Sequence, residues 1–532
     1  MTSRNDSKPP TDHIEDATNS GIGDNNTGDA ALALFNDPKE MHAFVDPAEE
    51  KRLIRKIDLM ILPCLSVCYI FFYIDKTTLS YAAIFGISKD LHIVGTQYSW
   101  LSSIFYFGFL AWQLPTNLLM QRFPTAKYLS LNIIVWGILL ALQAVTRNFA
   151  TLAVLRGLSG AAEACGDPAF MLITGMWYTR REQPIKIGLW YSSLGLGIAG
   201  GGLLGYAIGQ IKGSLPSWRY EFIIIGALCV AWGIVMFIVL PDSPVSAPLL
   251  SMDQRKLAVE RLRENQTGIE NRNFKRYQLI EGFTDLKVLC FFFIALLQAI
   301  VNGGITNFGT LIVKGFGYTT LGTTLLQIPY GVFIALVILF CVWVNDKMPP
   351  NSRCLMILVF LFPNIAAAFG LRFVPRGAKV GRLICYYVMF TTNFQEWREQ
   401  MLILYQLTGS YNASFVMLLS LTTANIAGHT KKVTSSACLF VGYCVGNIAG
   451  PFFYKTNQAP EYSLGIWSMI VSHLLEVVVV VFLWILLKRE NQRRDNLQNG
   501  PGVQGEGSGF DVDLSAFSDM TDKENPNFRY VY

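Results

Sequence analysis

Two pairs of charged side chains stand inside apolar segments in the first half of this chain of 532 residues. Asp75 and Lys76 are adjacent, and Arg156 and Glu163 are seven residues apart in another apolar stretch. Seven residues make about two helical turns, so Arg156 and Glu163 share one helix face, ~10 Å apart along the axis. A charge at the centre of a bilayer costs at least ~2.5 kcal/mol. The four residues therefore form either a functional site or static ion pairs between helices.

Polar side chains also interrupt apolar segments in the second half of the chain. Asn302 and Asn307 flank two glycines, which can interrupt a helix and expose its carbonyls to a cavity, and Asn447 lies in a later segment. Such asparagines either line a cavity or hydrogen-bond between helices, and all three are candidate substrate-binding residues. For His473 and Glu476, which lie inside the last apolar segment, a structural role is the favoured interpretation.

The motifs of soluble enzymes are absent or out of context. The string Gly195-Leu-Gly197-Ile-Ala-Gly200 matches G-x-G-x-x-G, but an apolar stretch surrounds it and no strand precedes it. Small residues at this density predict close packing of membrane helices instead. The ten cysteines are scattered through apolar sequence, and no phosphate-binding loop or zinc-ligand spacing occurs. We expect no enzyme activity, no cofactor and no metal site, and transport driven by an ion gradient.

The composition predicts a membrane protein. The chain is 52% hydrophobic and only 15% charged, whereas soluble domains are about one quarter charged. Twelve apolar stretches approach the ~20 residues that a helix needs to cross a bilayer. They lie at 57–85, 98–120, 128–146, 150–177, 187–210, 220–240, 287–313, 321–344, 354–372, 382–428, 433–454 and 464–487. The predicted fold is therefore an all-α membrane protein with twelve transmembrane helices in two six-helix halves.

Polar sequence divides the chain into five parts. They are a disordered cytoplasmic tail at 1–50, a six-helix half at 51–241, a cytoplasmic linker at 242–286, a second half at 287–487 and a cytoplasmic tail at 488–532. The linker is rich in Lys and Arg, which favours the cytoplasmic side, and both termini then lie on that side. The polar composition of both ends is typical of disorder. The net charge of +5 is too small for a nucleic-acid binder.

Short motifs over residues 51–487 together resemble one transporter family. They are Phe-Tyr-Ile-Asp75-Lys76-Thr77, Gln97-Tyr-Ser-Trp100, Trp112-Gln-Leu-Pro115-Thr-Asn117, Arg156-Gly-Leu-Ser-Gly160-Ala-Ala-Glu163, Leu240-Pro-Asp242-Ser-Pro244, Asn302-Gly-Gly-Ile-Thr-Asn307, Gln327-Ile-Pro-Tyr330-Gly, Asn425-Ile-Ala-Gly-His429 and Gly446-Asn447-Ile-Ala-Gly-Pro451. The chain resembles the major facilitator superfamily, in its anion:cation symporter group and the fungal allantoate permease-like family. The resemblance implies a twelve-helix transporter that works by alternating access.

The resemblance also implies roles for the charged residues. In relatives of this group, a first-helix acid–base pair and a fourth-helix Arg with an acid seven residues later support proton-coupled transport of organic anions. This implies Asp75 and Glu163 as proton-coupling residues, with Lys76 and Arg156 as substrate-binding residues. The fungal branch implies a small carboxylate substrate, such as allantoate or nicotinate. The expected partners are that anion, a proton and the lipid bilayer, and the expected functional unit is a monomer in the plasma membrane.

The chain departs from the family pattern in two places. The superfamily's G-x-x-x-D-x-x-G-R loop is degraded, because Asn117 replaces its first Gly and Gln121 its acid. In the predicted tenth helix, two short apolar runs flank residues 394–412, and neither run spans a bilayer core of ~30 Å by itself. Either this segment is a real insertion, or it is a translated intron, which is the favoured hypothesis.

Three functions compete at this point. The leading hypothesis is proton-coupled uptake of a small organic anion. The alternative is export of a secondary metabolite for a biosynthetic pathway, which would use the same alternating access. A nutrient sensor that does not transport is less favoured, because Asp75 and Glu163 are both present and the tails are short.

Overall fold

The computed structural model describes residues 47–179, 182–245, 247–263, 275–349, 351–373, 405–459, 462–498, 520–525 and 528–532. Within these ranges the chain is helical apart from turns and short connections, and none of these residues forms a strand. This confirms the predicted all-α class.

The helices follow the predicted order along the chain. In the first half they are α1 (Pro47–Ile84), α2 (Gln97–Arg122), α3 (Thr125–Leu142), α4 (Phe149–Glu163), α5 (Gly166–Trp177), α6 (Gln183–Gly209) and α7 (Ser217–Val239). The linker contains α8 (Met252–Arg263) and α9 (Arg276–Thr284). The second half contains α10 (Leu286–Gly315), α11 (Gln327–Lys347), α12 (Arg353–Phe373), α13 (Tyr411–Asn425), α14 (His429–Ala449) and α15 (Ser463–Gln498).

Nine helices among the described residues are long and apolar enough to cross a membrane. Three further helical stretches occupy the places of the predicted second, fourth and tenth spans. They are α2, the pair α4 and α5, and α13. The multi-pass membrane architecture is confirmed, and the count of twelve spans stays a prediction.

Close contacts between glycines allow the two halves to pack along each other. A Cβ atom added at Gly195 of α6 would lie 2.3 Å from the carbonyl oxygen of Gly331 in α11, and the reverse contact is equally short. Gly197 similarly faces the backbone of Ile70 in α1. No side chain fits in this space, so the glycine string is a helix-packing motif, as the sequence predicts.

The linker helices dock on the end of the bundle that carries the N-terminal end of α1. The guanidinium of Arg261 in α8 pairs with Glu50 at 2.8 Å and with Glu182 at 2.7 Å. In α9, Glu281 accepts a 2.8 Å hydrogen bond from Lys431 at the start of α14. Each linker helix therefore holds to its own half, on the predicted cytoplasmic side.

The C-terminal residues differ from the structureless tail that the sequence predicts for residues 488–532. Helix α15 continues to Gln498, and residues 520–525 and 528–532 lie against the second half. The side-chain amide of Asn425 exchanges two hydrogen bonds of 2.7 Å with the backbone of Val531. The backbone N–H of Arg353 donates to the carbonyl of Tyr532 at 3.1 Å. The chain end thus joins the start of α12 to the end of α13.

A buried charge cluster explains why this tail docks. Lys431 is fully buried and donates to Asp522 at 2.6 Å, to Asp285 at 2.8 Å and to Glu281 at 2.8 Å. Lys287 also donates to Asp522. These three carboxylates are close enough together to suggest a metal site, but the Lys431 ammonium already bonds all three. Hydropathy alone predicts a polar tail. The buried lysines that Asp522 binds become its partners only in the folded chain.

Residues 405–412, at the end of the suspected insertion, belong to the packed part of the second half. The Tyr405 ring lies 4.8 Å from that of Tyr330, and Tyr411 and Asn412 are buried. Helical and turn residues from 405 onward continue into α13, and the 21 residues 405–425 would extend about 31 Å as a helix, enough for one span. Residues 394–404 lie outside the described residues, so the insertion and intron hypotheses both stay open.

Candidate proton and substrate sites

The side chains of Asp75, Lys76, Arg156 and Glu163 meet between α1 and α4. The Nζ atom of Lys76 lies 3.0 Å from Oε1 of Glu163, and Nη1 of Arg156 lies 3.6 Å from Oδ1 of Asp75. Each pair therefore joins one residue of α1 to one residue of α4. Adjacent residues on a helix point about 100° apart, so Asp75 and Lys76 reach different partners. The structure brings together all four residues that the sequence singled out.

These charges are removed from solvent and balance to zero. Asp75 is completely buried, and the other three residues are at most 8% exposed. The indole N–H of Trp136 donates to Oδ2 of Asp75 at 3.1 Å. Burying ions is costly unless each has an opposite charge, so the two cross-pairs stabilise each other's burial. A change of charge on one member would leave its partner buried and uncompensated.

Several polar atoms of this group have no hydrogen-bond partner among the described residues. They include Oδ1 of Asp75, Oε2 of Glu163, and Nε and Nη1 of Arg156. The Arg156 guanidinium instead lies 5.2 Å from the ring centre of Phe105, and the Lys76 ammonium lies 4.9 Å from that of Tyr73. Both contacts are of the cation–π type. The pairs are thus electrostatically matched but incompletely hydrogen-bonded, which leaves donors for another anion.

Small residues bring the helices of this site close together. A Cβ atom at Gly160 of α4 would lie 1.9 Å from the carbonyl oxygen of Phe105 in α2, and one at Gly108 would lie 1.9 Å from that of Gly157. This close approach places the Phe105 ring against Arg156. The glycines between Arg156 and Glu163 therefore position the charges as well as pack the helix.

A cavity lies between the two halves beside this charge group. The space between the lining atoms measures about 410 Å3 and includes solvent at its open mouth. Its described lining carries no charged residue. The lining residues are Tyr73, Thr77, Ser80, Tyr81, Leu194, Ile198, Asn302, Ile305, Thr306, Thr310, Gln327, Tyr330, Ile334, Tyr405, Tyr411 and Asn412. The cavity thus offers aromatic faces, hydroxyls and amides, and Tyr73 connects it to Lys76.

The three predicted asparagines differ in their relation to the cavity. Asn302 lines it, accepts a 2.8 Å hydrogen bond from the hydroxyl of Tyr411 and donates to Asn447 at 2.8 Å. Asn447 is fully buried behind Asn302. Asn307 donates to the carbonyl of Gly303 at 2.7 Å, within its own helix. Only Asn302 borders the cavity directly, and Asn447 orients it.

Comparison with known proteins agrees with this architecture. A family profile described as Major Facilitator Superfamily matches residues 65–451. The chain belongs to the major facilitator superfamily. Over 482 residues it is 37% identical to the protein named Uncharacterized transporter C757.13 of Schizosaccharomyces pombe, covering 91% of this chain and 87% of that protein. It is 34% identical to the allantoate permease of Saccharomyces cerevisiae, over 94% and 90% of the two chains.

A further relative and a solved structure extend the comparison. The thiamine pathway transporter THI73 of Saccharomyces cerevisiae is 31% identical over 90% of this chain and 86% of its own. The crystal structure of a bacterial homolog of the human lysosomal transporter Spinster, inward-facing and unoccupied, matches with a TM-score of 0.54 at 16% identity. The match covers 81% of this chain and 96% of that chain. At this level of identity it supports the fold and nothing about function. The protein is therefore a multi-pass membrane transporter and not an enzyme.

Hydrogen bonds between the halves close the transporter on the predicted outer side. The hydroxyls of Ser80 in α1 and Thr310 in α10 are 2.5 Å apart. The hydroxyl of Tyr98 donates to the carbonyl of Asn307 at 3.0 Å, and that of Ser103 donates to the carbonyl of Ile448 at 2.8 Å. Each of these three bonds joins the first half to the second. Asn307 thus contributes its backbone carbonyl to the contact between the halves.

Sequence reasoning missed one acid at this site. Asp167 opens α5, remains partly exposed, and lies within electrostatic range of the Lys76 ammonium. It lies four residues after Glu163, but a turn at residues 164–165 separates α4 from α5, so the two acids lie on consecutive helices. The short distance from Glu163 along the sequence was the available signal. Lys76 therefore faces Glu163 directly and Asp167 at longer range.

Proposed function

We propose that this transporter couples proton entry to the uptake of a small organic anion across the plasma membrane. The observation that carries the proposal is the cross-pairing of Lys76 with Glu163 and of Asp75 with Arg156. This arrangement would allow the cations of the two ion pairs to exchange a protein carboxylate for a substrate carboxylate. When a proton neutralises Glu163, Lys76 loses its counter-ion, and the carboxylate of a substrate can take its place.

The energetics favour joint binding of proton and anion. Removing one partner of a buried ion pair costs about 3–5 kcal/mol, because the other charge remains uncompensated. A proton on Glu163 without a substrate would incur this cost, and so would an anion at Lys76 without the proton. Bound together, they keep the group neutral. The same reasoning applies to Asp75 and Arg156. Nε and Nη1 of Arg156 make no hydrogen bond among the described residues and could donate to a carboxylate.

The remaining part of the substrate would lie in the uncharged cavity. The hydroxyl and amide side chains of the cavity, including Asn302, can form hydrogen bonds with amide or hydroxyl groups of the ligand. Its aromatic rings can pack against a planar group of the ligand. The allantoate permease among the relatives supports a carboxylate with amide groups as the first candidate. One chain contains the whole site, so a monomer would suffice.

Flux measurements on the purified protein in liposomes test this function. Uptake is measured for a panel of small carboxylates that includes allantoate, with and without an imposed pH gradient. We expect an inward proton gradient to drive accumulation of at least one of them. In the double variant Asp75→Asn, Glu163→Gln, accumulation should fail while exchange of substrate across the membrane can survive, because exchange needs no release of the proton. Gradient-driven accumulation that persists in this variant would place the coupling acids elsewhere.

A further inference from the structure

A second group of buried titratable residues lies in the other half of the transporter. His473 and Glu476 of α15 are completely buried, and Nδ1 of His473 lies 2.9 Å from Oε2 of Glu476. Gln298 of α10 donates through Nε2 to Oε1 of Glu476 at 2.5 Å. Nδ2 of Asn364 in α12 lies 2.9 Å from Nε2 of His473. The acid and the base are therefore each capped by an amide from a neighbouring helix.

The two amides make this chain of hydrogen bonds adjustable. Oδ1 of Asn364 and Oε1 of Gln298 are buried and have no hydrogen-bond partner in the described part of the protein. Rotation of a side-chain amide by 180° exchanges the positions of its N–H donor and its C=O acceptor. Asn364 can then accept from a protonated Nε2 of His473, and Gln298 can accept from a protonated Glu476. The same four side chains thus satisfy their hydrogen bonds with or without one additional proton.

The charge of the group favours holding that proton while it is buried. With Nδ1–H of His473 donating to Glu476 and Asn364 donating to Nε2, the group carries one negative charge. One further proton, on Nε2 or on the carboxylate, makes it neutral. From the packed helices, α10 presents Gln298, α12 presents Asn364 and α13 presents Tyr411. No Lys or Arg of the described residues pairs with Glu476, so the proton is the available counter-charge.

The group lies at a depth where alternating access can operate. His473 follows the start of α15 by ten residues, or about 15 Å, near the middle of a bilayer core of ~30 Å. The ring of Tyr411 lies 6.0 Å from that of His473, and its hydroxyl bonds to Asn302. Tyr411 and Asn302 both line the cavity. The ring of Tyr411 therefore lies between the group and the space that the substrate would occupy.

We propose that His473 and Glu476 form a second proton-binding site, in the half of the transporter opposite Asp75 and Glu163. This inference rests on proton-coupled transport as the proposed function. The group takes up one proton from water in the cavity, and Asn364 or Gln298 turns to accept from the new N–H or O–H. It releases the proton to water when the opposite face opens. Each transport cycle then carries one proton more than the first-half acids account for.

Infrared spectroscopy of the full-length protein in liposomes tests this with the proton itself as the probe. The carbonyl band of protonated carboxyl groups is followed while the pH of the medium is varied. We expect Glu476→Gln to remove one titrating carboxyl group from the wild-type difference spectrum. His473→Gln keeps a hydrogen bond to Glu476 but cannot bind the proton, so the midpoint of the remaining band should shift by about one pH unit or more. Ser472→Ala, one residue away, should leave the titration unchanged.

The outcomes separate this site from the proposed function. If Glu476→Gln and His473→Gln both fold and give the wild-type titration, the group is structural and the second site is excluded. If Glu476→Gln does not fold, His473→Gln still decides, because a structural role would not move the pH midpoint. The number of protons carried per allantoate, obtained from reversal potentials, should fall by one in Glu476→Gln. Loss of coupling in the Asp75 and Glu163 variants is measured separately and concerns the first site alone.

Discussion

Lys76 pairs with Glu163 at 3.0 Å, across two helices, and not with Asp75, its neighbour in the sequence. Asp75 instead faces Arg156 at 3.6 Å and accepts from Trp136. The four charges therefore form two links between α1 and α4, and a proton on either acid loosens one of them. Protonation of either acid is therefore expected to weaken the contact between α1 and α4.

Exchanging the two charges tests the Lys76–Glu163 pair directly. Lys76→Glu and Glu163→Lys should each reduce the amount of correctly folded transporter, because each places two like charges side by side in a buried site. The double variant should restore folding, measured by size-exclusion chromatography of the tagged protein in detergent. The exposed pair Arg493 and Glu490 supplies the control, since Arg493→Glu should have no effect on folding. A double variant that folds no better than the single ones would contradict the pairing.

Arg156→Ala should weaken substrate binding. A carboxylate that loses a charge-assisted hydrogen bond in a buried site loses about 1.5–3 kcal/mol, so the Kd should rise roughly 10- to 150-fold. Binding is measured by isothermal titration calorimetry with the carboxylate that the flux panel identifies. Lys76 can share this role, so the informative comparison includes Lys76→Ala and the double variant. An unchanged Kd in the double variant would exclude both cations from the site.

Asp522→Asn should destabilise the second half of the transporter. Lys431 and Lys287 are buried, and breaking a buried pair costs about 3–5 kcal/mol. Thermal unfolding in detergent should show a lower midpoint for this variant and for a chain that ends before residue 520. Asp495→Asn, at an exposed pair with Arg529, is the matched control. Equal midpoints for the Asp522 variant and the wild type would show that the docked tail contributes nothing.

The same cluster should give a defined pH dependence. Burial by itself would raise the pKa of Asp285 and of Asp522, but the Lys287 and Lys431 ammonium groups hold both pKa values below the usual 3.8. A lowered pKa in the folded state stabilises the protein above the unfolded value, and this contribution is lost as the pH falls through the folded value. The stability difference between wild type and Asp522→Asn should therefore be constant from neutral pH to about pH 5 and shrink below 3.8. A difference that grows in acid would contradict this.

Two alanine substitutions in α6 distinguish tight from loose packing. Gly195→Ala would place its methyl 2.3 Å from the carbonyl oxygen of Gly331 and should destabilise the protein by about 1–3 kcal/mol or more. Gly200→Ala has only Ile74 nearby, at 3.9 Å, and should be tolerated. Thermal unfolding and flux in liposomes measure both. Equal behaviour of the two variants would show that the contact between α6 and α11 is not close in the membrane.

Deletion of 394–412 decides between insertion and intron. The structure places Tyr405, Tyr411 and Asn412 in the cavity wall, so the insertion hypothesis predicts that this deletion abolishes folding or transport and that the transcript encodes residues 405–412. A deleted protein that folds, reaches the membrane and transports would favour the intron hypothesis. Tyr411→Phe, which removes only the bond to Asn302, serves as the mild control.

Much of the fold was predictable from the sequence, because transfer of a helix into a bilayer depends on the local content of apolar residues. The positions of the apolar helices, the linker and the glycine packing string follow from composition and spacing. The charges at Asp75, Lys76, Arg156 and Glu163 were also recognisable, since ionised side chains are rare in such segments.

The tertiary structure decided which of these residues meet. Adjacent residues on a helix point in different directions, so only the packing of α1 against α4 assigns Lys76 to Glu163 and Asp75 to Arg156. The docking of Asp522 on Lys287 and Lys431 joins residues that are more than 90 positions apart, and hydropathy carries no information about such partners. The link from the cavity through Tyr411 to His473 and Glu476 likewise depends on the arrangement of separate helices. Local composition determines which segments enter the membrane, whereas the partners of buried charges are determined by three-dimensional packing.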